Sequence, residues 1–317
     1  MDNGLNITLN TEARMPALGL GTWRSAPTLV AKAVEYALKA GYRHIDCAAI
    51  YRNEQEIGAV FKKVFDSGTL KREDVFITSK LWNTEHARGR VRKACEQTLA
   101  DLNLKYLDLY LVHWGLAIPP NSSETGNKYG RLTEQLDANG FLLTEKIPLR
   151  ETWAAMEELV AEGLVKTIGV ANFTAPMLLD LLSYAKITPA VNQIEMHPYF
   201  TQQKLVDFCK YHGIALTAYS PLGSPGNFKD KGSLLDDPVI RELSLKYGKK
   251  PAQIILRWGV QRDTVVIPKS ITPERINENL SIWDFELAGE DMAKVSGLDR
   301  NRRFLEPYEW WKIPYFG

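Results

Sequence analysis

Asp46, Tyr51, Lys80 and His113 bring together a carboxylate, a phenol, an amine and an imidazole, the side chains from which a proton relay is built. Such a set suits a reaction that leaves an alkoxide, as when hydride adds to a carbonyl carbon and the oxygen must be protonated at neutral pH. A free tyrosine, with a pKa near ~10, is a poor donor there. An ammonium about 4 Å away, at an effective dielectric of about 20, stabilises the phenolate by roughly 4 kcal/mol, or about three pKa units. Burial of the phenol opposes this, so the lowering expected for Tyr51 has that figure as its upper bound. Asp46 beside Lys80 would keep the ammonium charged, and a neutral His113 would donate an N–H to the substrate oxygen. Taken singly, each residue type is more often structural. It is their placement at neighbouring strand ends that points to chemistry.

That placement rests on the predicted elements. Short apolar or β-branched runs alternate with helical patterns along nearly the whole chain, the signature of parallel strands joined by crossover helices. After an N-terminal hairpin, strands are predicted at 18–21, 42–46, 75–81, 107–113, 167–171, 191–195, 214–219 and 264–268. Helices are predicted at 29–40, 53–65, 91–101, 151–162, 177–184, 204–212, 238–247 and 252–261. The strand count favours a closed TIM-type (β/α)8 barrel over an open doubly wound sheet, and 317 residues suit one such domain, 1–317, with loop insertions. The long connections at 115–148 and 221–237 follow strands, which puts them on the C-terminal face, where barrel active sites lie. The tail after residue 298 is the third segment longer than a plain connection needs. On that face the strand ends present Asp46, Lys80 and His113, with Tyr51 in the loop after Asp46.

Composition narrows the partners. The chain is 45% hydrophobic and 24% charged, with 39 basic against 38 acidic residues and a net charge of +1, which asks for neither nucleic acid nor an anionic membrane. Residues 1–10 lack a basic-then-apolar signal pattern, and no apolar run approaches the ~20 residues a membrane-spanning helix needs, so a cytoplasmic protein is expected. Cys47, Cys95 and Cys209 are too scattered for a disulfide framework or a clustered zinc site and read as reduced, packed thiols. The sequons beginning at Asn6, Asn121, Asn172 and Asn279 matter only in a secreted protein and read as chance matches. His197, beside Glu195, reads as structural, and Arg88, Arg90, Arg92 and Lys93 as a solvated helix side. A barrel metallohydrolase would gather ligands at the same strand ends, but there is no His-x-His pair, and no metal is expected.

The runs GYRHID at 41–46, Tyr51, KLW at 80–82, His113 with Trp114, GVANF at 169–173, YSPLG at 219–223 and IPKS at 267–270 resemble the aldo-keto reductase family. The likeness spans residues 18–287. It implies that Asp46, Tyr51, Lys80 and His113 form the family's catalytic tetrad, and that Trp23, Tyr51, Trp82, His113 and Trp114 line the substrate pocket. Gly115 stands where many members have proline, and Ala171 replaces a serine that often bonds the nicotinamide amide. The tail at 303–316 resembles the aldose and xylose reductase branch more than the steroid-reducing branches, although Leu305 replaces a polar residue that often contacts the sugar there. Reduction of aldehydes, including open-chain aldoses, is the implied activity, with a broader carbonyl or ketone reductase as the alternative. The intact tetrad argues against a cofactor-binding subunit without turnover.

The cofactor needs a separate argument. Gly19 and Gly21 are followed by Thr22, Trp23 and Arg24, without the third glycine or acidic partner of a Rossmann fingerprint. Residues 269–275 instead follow the last strand, where barrels often bind phosphate beside a short helix, and Thr272, Pro273 and Glu274 read as that helix start. By resemblance, Lys269, Ser270 and Arg275 bind an adenosine 2′-phosphate while Glu278 and Asn279 approach the adenine, a pattern that selects NADPH, with NADH as a weaker alternative. Asn172 and Gln193 would hold the carboxamide, and Tyr219 would stack on the nicotinamide. Ser220, Leu222 and Ser224 would close over the pyrophosphate, with Thr22, Trp23 and Asp46 completing the contacts.

Overall fold

The structure, a computed structural model, describes residues 6–120, 134–224 and 233–316. Strands β1 (Asn6–Thr8) and β2 (Arg14–Pro16) pair as the expected antiparallel hairpin. Leu9 and Met15 pack with Phe76, Leu109, Val191 and Val265, so the hairpin plugs the end of the barrel where the strands begin. The barrel strands are β3 (Leu20–Gly21), β4 (His44–Asp46), β5 (Phe76–Leu81), β6 (Leu107–Val112), β7 (Val165–Ala171), β8 (Val191–Glu195), β9 (Ala215–Tyr219) and β10 (Thr264–Val266). Each pairs in parallel with the next in chain order.

The sheet closes on itself between its first and last strands. Leu18 bridges Val266 and Gly21 bridges Lys269, both in parallel. Val266 N–H donates to the Ala17 carbonyl at 2.9 Å, and Gly21 N–H to the Pro268 carbonyl at 3.1 Å. Glycine is needed at this seam. A Cβ on Gly21 would stand 2.8 Å from the Ile267 carbonyl oxygen, and one on Gly19 would stand 2.6 Å from the His44 ring. The seam also explains why β10 ends before the predicted Pro268: proline has no N–H to donate, and pairing continues through its carbonyl alone.

Around the barrel run α1 (Pro27–Ala40), α2 (Glu54–Asp66), α3 (Arg88–Asp101), α4 (Leu149–Ala161), α5 (Ala175–Leu182), α6 (Gln203–Tyr211), α7 (Pro238–Tyr247), α8 (Pro251–Gln261), α9 (Pro273–Leu280), α10 (Gly289–Ser296) and α11 (Tyr308–Trp311). In α1, Val30, Ala33, Val34, Ala37 and Leu38 recur at helical spacing and are buried. Gly41, at φ 113°, ends that helix by donating its N–H to the carbonyls of Ala37 and Leu38.

Strand alternation positions the site. In β6, Tyr110 and Val112 pack in the core shared with the helices, while Leu109 and Leu111 belong to the barrel interior. The same period turns His113 inward. It also turns Thr78 and Lys80 of β5 inward and Ser79 outward, where Ser79 meets Glu54 of α2 at 2.6 Å.

Candidate active site

Lys80 Nζ, wholly buried, donates to Asp46 Oδ2 at 2.7 Å, to the Cys47 carbonyl at 2.8 Å and to Tyr51 Oη at 3.4 Å. An ammonium has three protons to donate, and each has an acceptor. Gln193 Nε2 donates to the other carboxylate oxygen, Asp46 Oδ1, at 2.8 Å. Thr22 Oγ1 holds the Asp46 carbonyl at 2.8 Å. Tyr51 arrives from outside the sheet, on the single turn Ala49–Tyr51 that Arg52 ends in a left-handed conformation at φ 56°. Asn53, buried next in the chain, donates to the carbonyls of Thr22 and Ser25 at 3.0 and 3.2 Å and so ties this loop to the end of β3. The His113 ring lies 6.0 Å from that of Tyr51 and 5.2 Å from that of Trp82, edge-on to both.

Burial lowers the Lys80 pKa, but Asp46 and Tyr51 more than offset it, and the net shift is upward, so the ammonium stays charged. Burial and the Lys80 charge together push His113 well below its ordinary value, which leaves a neutral imidazole. Tyr51 corrects the expectation drawn from charge alone. Burial of its phenol outweighs the attraction of Lys80 and raises its pKa to about 12. The protonated phenol is therefore the resting form at neutral pH.

These groups stand in a cavity of about 840 Å³ at the C-terminal face. Asp46, Tyr51, Trp23, Trp82, His113 and Trp114 line it, together with Thr22, Asn172, Gln193, Tyr219, Ser220, Leu222, Ser224, Lys269, Ser270 and Arg275. Lys80 lies behind the wall, reaching the cavity through Tyr51 and Asp46. Glu278 and Asn279 do not line it: they sit in the last turn of α9, where the Glu278 carbonyl accepts from Gln253 Nε2 at 3.0 Å and Asn279 is buried. Ile50, Glu134, Leu305, Trp310 and Trp311 also line the cavity. The paired tryptophans in an apolar tail were a sequence signal for part of that wall. Nothing in the pattern around Glu134 marked it.

The cavity has two chemical ends. Asn172 Nδ2 donates to the His113 carbonyl at 2.9 Å, and Asn172 Oδ1 accepts from Tyr219 Oη at 2.8 Å, which leaves one amide proton and one lone pair for a further partner. Asn172, Ser220 and Ser224 hold left-handed conformations at φ 65°, 48° and 47°, each costing on the order of 1 kcal/mol, and such strain clusters at functional sites. At the far end Lys269 and Arg275 line the cavity without a carboxylate partner among the described residues. Partial burial pushes the Lys269 pKa down from its ordinary value, a cost that an anion bound there would offset.

Residues 17–300 match the Aldo/keto reductase family. This chain belongs to that family. Aldo-keto reductase family 1 member A1-A of Danio rerio is 48% identical over 307 residues, covering 95% of this chain and 91% of the relative. Aldose reductase B of Dictyostelium discoideum is 49% identical over 304 residues, covering 95% and 94%. The solved aldose reductase of Schistosoma japonicum superposes with a TM-score of 0.88 at 41% identity, over 98% of each chain. As an aldo/keto reductase the protein is an oxidoreductase, and its barrel has the architecture of that solved relative. The described residues contain neither a helix long and apolar enough to cross a membrane nor a cluster of metal-binding side chains.

His197 and Cys47 have the packed settings expected of them. His197 Nε2 lies 2.9 Å from Glu195 Oε1, with both side chains fully buried. Cys47 is buried, and that burial raises its thiol pKa well above the ordinary value, far from a reactive thiolate.

Proposed function

We propose that this reductase converts aldehydes, including open-chain aldoses, to alcohols with NADPH as the preferred cofactor and Tyr51 as the proton donor. The observation that carries the reading is Lys80 Nζ, held between Asp46 and Tyr51 beneath a cavity walled by tryptophan. A nicotinamide dinucleotide fits the residues present, with an amide partner at Asn172, an aromatic face at Tyr219 and two cations at Lys269 and Arg275. When bound, that cofactor supplies the hydride.

The chain's own groups manage the oxygen. Neutral His113 donates an N–H to the substrate carbonyl and orients it, and Tyr51 Oη holds the proton that the oxygen takes up. The phenolate left behind faces an ammonium at 3.4 Å. At an effective dielectric of about 20 that contact is worth roughly 5 kcal/mol, opposed by the burial that keeps the phenol protonated at rest. Trp23, Trp82 and Trp114 exclude water while their ring N–H groups remain able to meet hydroxylated substrates. In this reading residues 1–317 act as one cytoplasmic barrel domain on small carbonyl compounds.

Tyr51→Phe is expected to lower kcat by orders of magnitude while leaving the fold and the NADPH dissociation constant nearly unchanged. Near-normal turnover in that variant would remove Tyr51 as the acid. For the cofactor, kcat/KM should favour NADPH over NADH, and neutralising Lys269 and Arg275 together should erode that preference by weakening NADPH alone. Equal kcat/KM for the two cofactors in the native enzyme would overturn the assignment.

A further inference from the structure

We infer that Glu195 is a positioning residue for substrate selectivity, acting through the main chain of Phe304 and Leu305. Glu195 ends β8, two residues beyond Gln193, with its side chain fully buried. Its Oε1 accepts the Phe304 N–H at 2.6 Å and its Oε2 the Leu305 N–H at 2.9 Å. His197 Nε2 lies 2.9 Å from Oε1, and the Phe304 ring packs 4.9 Å from the His197 ring. Leu305, next along the tail, is part of the cavity wall.

Tethering a tail would not by itself need a buried carboxylate, since an apolar contact anchors without the cost of removing a charge from water. Two oxygens gripping two successive peptide N–H groups do something an apolar contact cannot. They fix the rotation of the peptide between them, and with it the direction in which the Leu305 side chain projects. The strand is rigid, so the barrel sets the position of a wall residue carried on an irregular tail. Gln202 Nε2 holds the Glu195 carbonyl at 2.6 Å from the turn beyond β8, which fixes the carboxylate's own backbone.

Glu195→Gln keeps the shape but turns an amide NH2 toward one of the two N–H groups, so the grip is lost on one side. The consequence falls on substrates that reach the Leu305 wall. This rests on the proposed aldehyde reduction, and the test separates the two. Wild-type enzyme, Glu195→Gln, Leu305→Ala and the double variant are compared with NADPH on glyceraldehyde, which is small and polar, and on benzaldehyde, which is larger and apolar. Glu195→Gln should raise KM for benzaldehyde about ten-fold, while KM for glyceraldehyde and both kcat values stay within about two-fold. Leu305→Ala should shift the selectivity the same way, and the double variant should add little to either.

A parallel fall in kcat for both aldehydes, or additive effects in the double variant, would mean that Glu195 serves the fold alone and would overturn the inference. Should Glu195→Gln fail to fold, Glu195→Asp keeps the charge but withdraws it by one methylene, and the same KM split is required of it. An unchanged benzaldehyde to glyceraldehyde ratio in Leu305→Ala also overturns it. If the wild type reduces neither aldehyde, the functional reading itself fails, whatever the variants do.

Discussion

Glu54 lies one layer outside Lys80, sealed between α2 and β5, where its carboxylate accepts Ser79 Oγ at 2.6 Å and Thr98 Oγ1 at 3.2 Å. Burial raises its pKa from 4.5 to about 7, with the two hydroxyl hydrogen bonds pulling partly back. The folded protein therefore holds a proton that the unfolded chain has already released between those values. Stability from this group is fully present below the ordinary value of 4.5 and is lost as pH rises through 7. The loss amounts to up to about 3 kcal/mol, because each pKa unit corresponds to ~1.36 kcal/mol. Glu54→Gln stays neutral at every pH and can still bond both hydroxyls. Thermal unfolding at pH 5 and pH 8 should show the variant losing less stability than the wild type across that interval. Parallel losses would mean that Glu54 is ionised in the folded state throughout. Tyr51 shows the same competition inside the site, and there too burial prevails over a neighbouring charge.

At the scale of elements, much of this arrangement was legible in the sequence because period-two and period-3.6 patterns are local. The observed β8 and α7 coincide with the segments predicted from them, and the inward turn of Asp46, Lys80 and His113 follows from alternation along strands whose outward residues are largely apolar, with Ser79 an exception. Boundaries drifted where a terminus is decided by something other than periodicity. Helix α1 begins at Pro27, ahead of the apolar repeat, since proline suits a first turn, and Asn53 precedes α2 because its side chain is engaged with the β3 loop. The expected first strand, 18–21, shrinks to Leu20–Gly21 with a lone bridge at Leu18, because barrel closure is a long-range event that local pattern cannot register. Glu195 was opaque for the same reason: its partners Phe304 and Leu305 lie 109 and 110 residues away. Much of the long insertion after β6, 121–133, and the stretch 225–232 lie outside the described residues.

For the whole molecule, the question is whether the C-terminal tail only covers the barrel or completes the site. The barrel closes through residues 17–21 and 264–269, and none of those contacts involves the tail. Beyond its main-chain bonds to Glu195 at the end of β8, the tail meets the long insertion. Trp311 Nε1 donates to Glu134 at 2.9 Å, the Leu142 N–H donates to the Trp311 carbonyl at 3.0 Å, and the Gly115 N–H donates to Tyr315 Oη at 2.8 Å. The Trp114 ring, itself a wall of the cavity, packs edge-on against Trp311 at 4.9 Å and Tyr315 at 5.2 Å. Deleting residues 307–317 would remove Trp310 and Trp311 from that wall while leaving Leu305, Lys269, Arg275 and Tyr219 in the chain. Exposing the apolar faces of Trp114, Ile118 and Leu142 should cost roughly 3 kcal/mol of stability under either role. Kinetics separates the two. A wall role requires KM for glyceraldehyde to rise about ten-fold, with NADPH affinity within about two-fold of the intact enzyme and the barrel's circular dichroism retained. A pure cover would lower the melting temperature and leave KM where it was. The sharing of Trp114 between the tail and the cavity favours the wall role, because a ring released on one face would no longer be held in the cavity wall on the other.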